Sequence, residues 1–400
     1  MVITGLGVVS PLAVGVPDNA TGFRSGRVAF REVDFFDVSR QRVRTAGVAD
    51  VPESFAGTSR RAWTRMDRGT RLATMAASEA LASAGLCRGG EMPAMIGTSA
   101  AAMPIGEAYF KAAVAGVADR RRQLQRVESY QVQRQLGGML DALGVRGRMR
   151  IISNACASGA NAVGQAFQWV RTGRAERVLA GGYDALCQLV FAGFDSLQAL
   201  SPSGIPRPFD AARDGLALGE GAAFMIVESA DAAAARGAKV WAEVSGYAAG
   251  TDVHHLTQPH PEGDAALATM TAACAMAGLE PAQIDYLNSH GTGTPLNDVA
   301  EARAIGRWAG GAVAGVKVSS TKSSIGHLLG GAGAVESAIC LMAIDGQWLP
   351  PNVNVREVDP AVEFDLVRKP READVGRVLT NSFGFGGANA TLVFEKEGAR

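Results

Sequence analysis

The chain has 400 residues, 47% hydrophobic and 20% charged, which is enough apolar material for two domains or one large duplicated unit. Lys plus Arg and Asp plus Glu are both 39, so no net charge draws the whole surface to nucleic acid or to an anionic membrane. The cysteines (Cys87, Cys156, Cys187, Cys274 and Cys340) are odd in number and form no CxxC pair. That pattern disfavours a disulfide framework or a zinc site and favours a reducing compartment. The amino terminus MVITGLGVVSPLAVG lacks a basic flank and is broken by Gly and Pro, so it reads as a strand and turn. No uncharged apolar run approaches the ~20 residues of a membrane span. The expectation is a cytoplasmic protein with no membrane span and no metal.

In chain order, Val2-Ile3-Thr4 opens a strand and residues Thr70 to Ala84 read as an amphipathic helix. Arg148 to Ser153 is a strand running into a small-residue helix, and Val178-Leu179-Ala180 is a strand ending at Gly181-Gly182. Ala222 to Glu228 is almost continuously apolar, as a strand buried on both faces should be. After about Lys239 the alternation restarts. It includes a helix at Asp264 to Ala277, a strand at Ile284 to Asn288, a strand at Val316 to Ser319, a helix at Gly331 to Ala343 and a last strand at Ala390 to Glu395. Such alternation argues a layered α/β fold. A weak internal symmetry goes with it. One strand leads into Ser153-Asn154-Ala155-Cys156 and a Gly-rich helix, and another leads into Ser319-Ser320-Thr321-Lys322, Gly326-His327 and a second Gly-rich helix.

Cys156 therefore sits where a strand turns into a helix, beside backbone N–H groups that have no partner in the helix. A thiol there is expected to have a lowered pKa and to act as a nucleophile. The same residue also fits a buried structural cysteine, the reading that suits Cys87, Cys187, Cys274 and Cys340. His290 stands in NSHGTGT and His327 ends KSSIGH, each at a junction rich in Gly; either alone reads as a structural histidine. His254, His255 and His260 share a polar loop and read as surface residues.

Together, NACASG at Cys156, HGTGT at His290, KSSIGH at His327 and NSFGFGGAN at Asn381 to Asn389 resemble the elongating β-ketoacyl-acyl-carrier-protein synthases. The likeness is to β-ketoacyl synthase II and to the ketosynthases of type II polyketide assembly, and it runs the length of the chain. It implies the thiolase-like fold, a duplicated five-layer α-β-α-β-α sandwich. Residues 1–238 then form the half with the nucleophile and 239–400 the half with the active-site histidines. By the same resemblance Cys156 is acylated, His290 and His327 stabilise the enolate left by malonyl decarboxylation, and Lys322 and Glu336 support them. The backbone N–H groups of Cys156 and Phe385 form the oxyanion hole, Phe385 is the gate, and Phe383 lies beside it.

The resemblance also implies that substrates arrive on the phosphopantetheine of an acyl carrier protein, with no separate cofactor. Arg61 and Arg65 in SRRAWTRMDR, and Arg207 opening RPFD, are the docking candidates. The expected assembly is a homodimer, or a heterodimer with a chain-length-factor-like homologue. Asn154 and Ala157 depart from the housekeeping pattern of Thr and a hydroxyl residue around the Cys, which bears on pathway and not on the reaction. An inactive chain-length-factor-like partner is disfavoured by Cys156 with both histidines. An acyltransferase or thiolase-like enzyme is disfavoured because the late Gly-rich motif carries Phe383 and Phe385 in place of a second Cys.

Overall fold

The computed structural model describes residues 1–86, 90–116 and 120–398, which leaves Cys87 outside the described residues. Its principal strands fall into two sets of five. The first comprises β1 (Val2–Ser10), β2 (Ala94–Gly97), β3 (Met149–Ile152), β4 (Arg177–Asp184) and β5 (Gly221–Glu228). The second comprises β6 (Ala242–Thr251), β7 (Tyr286–Asn288), β8 (Lys317–Ser319), β9 (Arg377–Gly384) and β10 (Ala388–Glu395).

Both sets have one topology. The first is ordered β1-β5-β4-β2-β3 and the second β6-β10-β9-β7-β8, with the first three strands antiparallel and the rest parallel in each. Even the irregularities correspond. β1 slips register between Ile3 and Gly5 against β5, and β6 slips between Val244 and Gly246 against β10. At each slip the glycine is pressed by a carbonyl of an outer helix, Ala80 against Gly5 and Ala273 against Gly246. No side chain fits at that approach. The duplication hinted at by the two strand-to-helix junctions is thus explicit in the fold. The two sets touch at a narrow seam, where Val2 pairs with Glu243 and Ile3 with Ala242.

The helices supply the other layers. We label α1 (Arg60–Arg65), α2 (Arg68–Ser83), α3 (Met103–Val114), α4 (Arg120–Tyr130), α5 (Ser158–Arg171), α6 (Gln188–Ser196), α7 (Asp264–Ala277), α8 (Pro295–Ala309) and α9 (Ala332–Gly346). α2 covers the first sheet from outside and α7 the second, while α5 and α9 lie between the sheets. α9 belongs to an apolar stretch, Leu329–Gly346, that is membrane-like by length and composition, but 89% of it is buried and it serves as a core helix. Its crossing with α5 is unusually close. A Cβ on Gly159 would lie 2.8 Å from the Ala334 nitrogen, and one on Gly333 would lie 2.8 Å from the Ala160 nitrogen. Small residues on both helices let the two backbones nearly touch.

The structure departs from the sequence reading in two places. The strand expected to end at Gly181-Gly182 continues through them to Asp184. These glycines are interior because neighbouring backbone crowds them: a Cβ on Gly182 would lie 2.9 Å from the Gly159 Cα, and one on Gly181 would meet the carbonyl of Ala223. The stretch 85–147, which the sequence reading leaves without elements, holds β2, α3, α4 and a further helix at Val132–Leu143.

Candidate active site

The chain enters the site at the end of β3, where it must reverse sharply before α5. Ala155 takes φ 53°, a left-handed conformation costing a non-glycine residue about 1–2 kcal/mol. Local hydrogen bonds hold it: the Ser158 hydroxyl donates to the Ala155 carbonyl at 2.6 Å and accepts from the Asn154 N–H at 3.0 Å, and the Ser99 hydroxyl also donates to the Ala155 carbonyl, at 2.8 Å. The turn presents Cys156 to a cavity of about 420 Å³ that is also lined by His290, His327, Phe383 and Phe385. Five of the residues singled out from sequence thus share one cavity. Lys322 and Glu336 stand behind them, both buried and paired Nζ to Oε1.

The electrostatics of Cys156 differ from the sequence expectation. Burial pushes its thiol up to about 12; Lys322 pulls it down, Asp184 and Glu336 push it up, and the Phe385 N–H facing the sulfur lowers it. Desolvation is the largest of these contributions, so the resting group is a thiol rather than a thiolate. The Phe385 N–H belongs to a turn lying over Cys156, since a Cβ on Gly384 would be 3.0 Å from the Cys156 nitrogen. Two backbone N–H groups are therefore gathered beside the sulfur, as an oxyanion hole requires. The Phe385 ring is 40% exposed and stacks on Phe194 with centroids 5.8 Å apart.

Burial favours the neutral form of both histidines. His290 and His327 lie with ring centroids 5.3 Å apart, nearly perpendicular. Burial holds both well below the ordinary imidazole value, helped by the Lys322 charge and, for His290, by His327. Their tautomers follow from their neighbours. The Leu329 N–H donates to His327 Nδ1 at 3.2 Å, and the Lys322 ammonium lies 3.4 Å from His290 Nδ1. With Nδ1 accepting in each ring, the proton resides on Nε2. Phe383 packs its ring 5.5 Å from His290.

Three buried carboxylates went unread in the sequence. Glu301 on α8 accepts the N–H groups of His290 (2.8 Å) and Gly291 (2.7 Å), and burial pushes it up to about 7. Asp298, three residues earlier on the same helix face, accepts from the N–H groups of Thr292 (3.0 Å) and Phe209 (2.9 Å). The spacing of two acids three apart just after HGTGTP was the available signal. Asp184 closes β4 and is fully buried. His255, read as a surface residue, stands at the rim of the cavity. Arg61 and Arg65 are exposed on α1, whose Trp63 is buried beneath them. Arg207 is held otherwise: its guanidinium pairs with Asp214 at 3.0 Å, and its side chain is 17% exposed.

Models of the β-ketoacyl synthase N-terminal and C-terminal domains match residues 1–233 and 241–356. The chain belongs to the β-ketoacyl synthase family. This β-ketoacyl synthase is 36% identical to a 3-oxoacyl-[acyl-carrier-protein] synthase 2 of Synechocystis, over 99% of its own length and 98% of that protein. It is 34% identical to the synthase 2 of Staphylococcus aureus over the same shares. Among solved structures it is similar to the ishigamide ketosynthase/chain length factor, with a TM-score of 0.91, 32% identity and 99% of both chains covered. It is also similar to the AntDE ketosynthase in complex with its acyl carrier protein AntF, with a TM-score of 0.88, 27% identity, and 99% and 98% coverage. The thiolase-like fold and a condensing acyltransferase activity in fatty-acid or polyketide elongation follow from this kinship.

Two outcomes are expected at the site. Lys322→Met strands the Glu336 carboxyl in the core, and should destabilise the protein by about 3–5 kcal/mol while also slowing malonyl decarboxylation. Adding Glu336→Leu should restore most of the stability, read by thermal unfolding, but not the decarboxylation. A single variant as stable and as fast as the parent would contradict the pairing. The lowered histidine pKa values mean that protons bind only at a lower pH than usual. In spectra of 15N-histidine-labelled protein, His290 and His327 should remain neutral Nε2–H tautomers as pH falls through about 6.5. Imidazolium signals from either residue at that pH would overturn the assignment.

Proposed function

We propose that the chain joins an acyl group held on Cys156 to a malonyl unit by decarboxylative Claisen condensation, both delivered on the phosphopantetheine of an acyl carrier protein. The observation that carries this reading is the single cavity shared by the Cys156 thiol and two neutral imidazoles that present Nε2–H.

In the first half-reaction the Cys156 sulfur attacks the acyl thioester carbonyl. The oxyanion develops against the N–H groups of Cys156 and Phe385, and the phosphopantetheine sulfur departs with the thiol proton. A thiol whose pKa is raised by burial suits a transfer in which the proton moves with the leaving group. In the second half-reaction the bond from the malonyl α-carbon to its carboxylate breaks and carbon dioxide leaves. The electron pair passes to the thioester oxygen, where Nε2–H of His290 and His327 stabilise the enolate. The α-carbon then attacks the acyl carbonyl, and the Cys156 sulfur leaves and takes up one proton. Lys322 and Glu336 keep His290 oriented. Because decarboxylation drives the step, the reaction as written calls on no metal or redox cofactor. Phe385, between Gly384 and Gly386 and stacked on Phe194, is the gate between the two half-reactions.

The carrier docks on α1 through Arg61 and Arg65, beside a groove that also contains Arg126 and Arg134. Arg207, paired inward with Asp214, is a weaker candidate. A second subunit, another copy or a chain-length-factor-like homologue, covers the end of the sheet at β3 and the apolar residues Tyr109, Phe110 and Val114 of α3, which are 38%, 68% and 72% exposed. The setting for such carrier-borne chemistry is the cytoplasm.

Incubation with acyl- and malonyl-carrier proteins should yield a β-ketoacyl carrier lengthened by one malonyl-derived unit, read by mass. The double variant Arg61→Glu with Arg65→Glu should raise KM for carrier-borne substrates severalfold and leave a short pantetheine thioester unaffected, as expected for rim charges. Equal losses with both substrate types would assign these arginines to the fold.

A further inference from the structure

β4 runs apolar from Val178 to Tyr183 and ends in a carboxylate, Asp184, with no exposed surface. Among the described residues no Lys or Arg pairs with it. It is instead ringed by neutral donors: the Thr98 hydroxyl at 2.6 Å, the N–H groups of Ser99 and Ala100 at 2.9 Å each, that of Ala101 at 3.1 Å and that of Gly330 at 2.7 Å. A buried carboxylate with five such donors is fixed in place, and so are the segments that donate to it.

Those segments lead to opposite sides of the cavity. Ser99, held by its N–H, uses its hydroxyl to bind the carbonyl of Ala155, the residue before Cys156. Gly330 follows Leu329, whose N–H binds His327 Nδ1. Among the described residues, three of the seven non-glycine residues with positive φ, Ala101 (46°), Ala155 (53°) and Leu329 (51°), lie along these two arms. Strained backbone of this kind persists only where its surroundings determine it; Asp184 binds the Ala101 N–H directly and reaches Ala155 through Ser99 and Leu329 through Gly330.

We propose that Asp184 is the positioning residue that sets Cys156 and the His327 imidazole relative to each other, through Ser99 and Ala155 on one arm and through Gly330 and Leu329 on the other. The proposal rests on the reading of Cys156 and His327 given above. Electrostatics argue that the role is geometric: the charge of Asp184 pushes the Cys156 thiol up, so losing that charge alone would ease removal of the thiol proton. Removing the charge while keeping the shape therefore separates two accounts of opposite sign.

The test is Asp184→Asn, with acyl transfer and malonyl decarboxylation measured per folded molecule. An amide must present its NH2 to donors that now meet an oxygen. Both half-reactions should slow roughly tenfold to a hundredfold in kcat, with KM for the carrier-borne substrate unchanged. Ser99→Ala, which touches only the Cys156 arm, should slow acyl transfer more than decarboxylation. Its effect should largely vanish in the Asp184→Asn background, because both act through Ala155. Unchanged kcat in folded Asp184→Asn, or faster acyl transfer from loss of the charge, overturns the proposal. Should Asp184→Asn fail to fold, Ser99→Ala alone decides, and acyl transfer at the parental rate overturns it. Cys156→Gln is run alongside: acylation surviving there removes the nucleophile itself, whereas acylation lost there but intact in Asp184→Asn refutes only the role of Asp184.

Discussion

Everything in this site depends on two helices crossing almost backbone to backbone. α5 carries Cys156 at its entrance, and α9 follows the turn that carries His327. Each comes from a different half of a duplicated fold. Gly159 against Ala334 and Gly333 against Ala160 leave no space for side chains between them. The crossing therefore fixes the two helix entrances relative to each other. A larger residue at this crossing would separate the nucleophile from the imidazole before it disturbed either. The abundance of small residues in NACASGANAVG and GGAGAVESA is the sequence form of that constraint.

Within the cavity so formed, burial does most of the electrostatic work. It keeps the thiol protonated, keeps both imidazoles neutral and pushes Glu301 toward neutrality. Charge is concentrated behind the reacting groups, in the Lys322–Glu336 pair. The reacting surface itself offers aligned dipoles: two backbone N–H groups at the sulfur and two Nε2–H groups facing the cavity. Preorganised dipoles of this kind stabilise an oxyanion or enolate without having to reorient as charge develops. The design suits a reaction whose two half-reactions both place negative charge on a thioester oxygen.

How much of this was legible in the sequence can be judged from particular residues. The helix Asp264–Ala277 was readable at both ends because Gly263 and Gly278, both at positive φ, bracket an apolar run. Cys156, His290 and His327 were readable because each stands in its own Gly-rich junction. Asp184 was missed for a related reason. Gly181 and Gly182 were read as the end of a strand, whereas they are the places where β5 and α5 press against it. The carboxylate two residues on then looked like part of a loop. Glu301 and Asp298 were missed because the only trace they leave is two acids three apart after HGTGTP, while most of what they bind is backbone N–H, including that of His290, Gly291 and Thr292. The pKa of Cys156 was misjudged because a helix entrance is visible in sequence while the depth of burial around it is not.

The central claim is that Cys156 carries the growing chain. Incubation with an acyl-carrier protein in the absence of malonyl donor, followed by peptide mapping by mass spectrometry, tests it directly. The account predicts an acyl increment confined to the peptide containing Cys156, discharged when malonyl-carrier protein is added. An increment on any other residue, or one on Cys156 that malonyl-carrier protein fails to discharge, would contradict it.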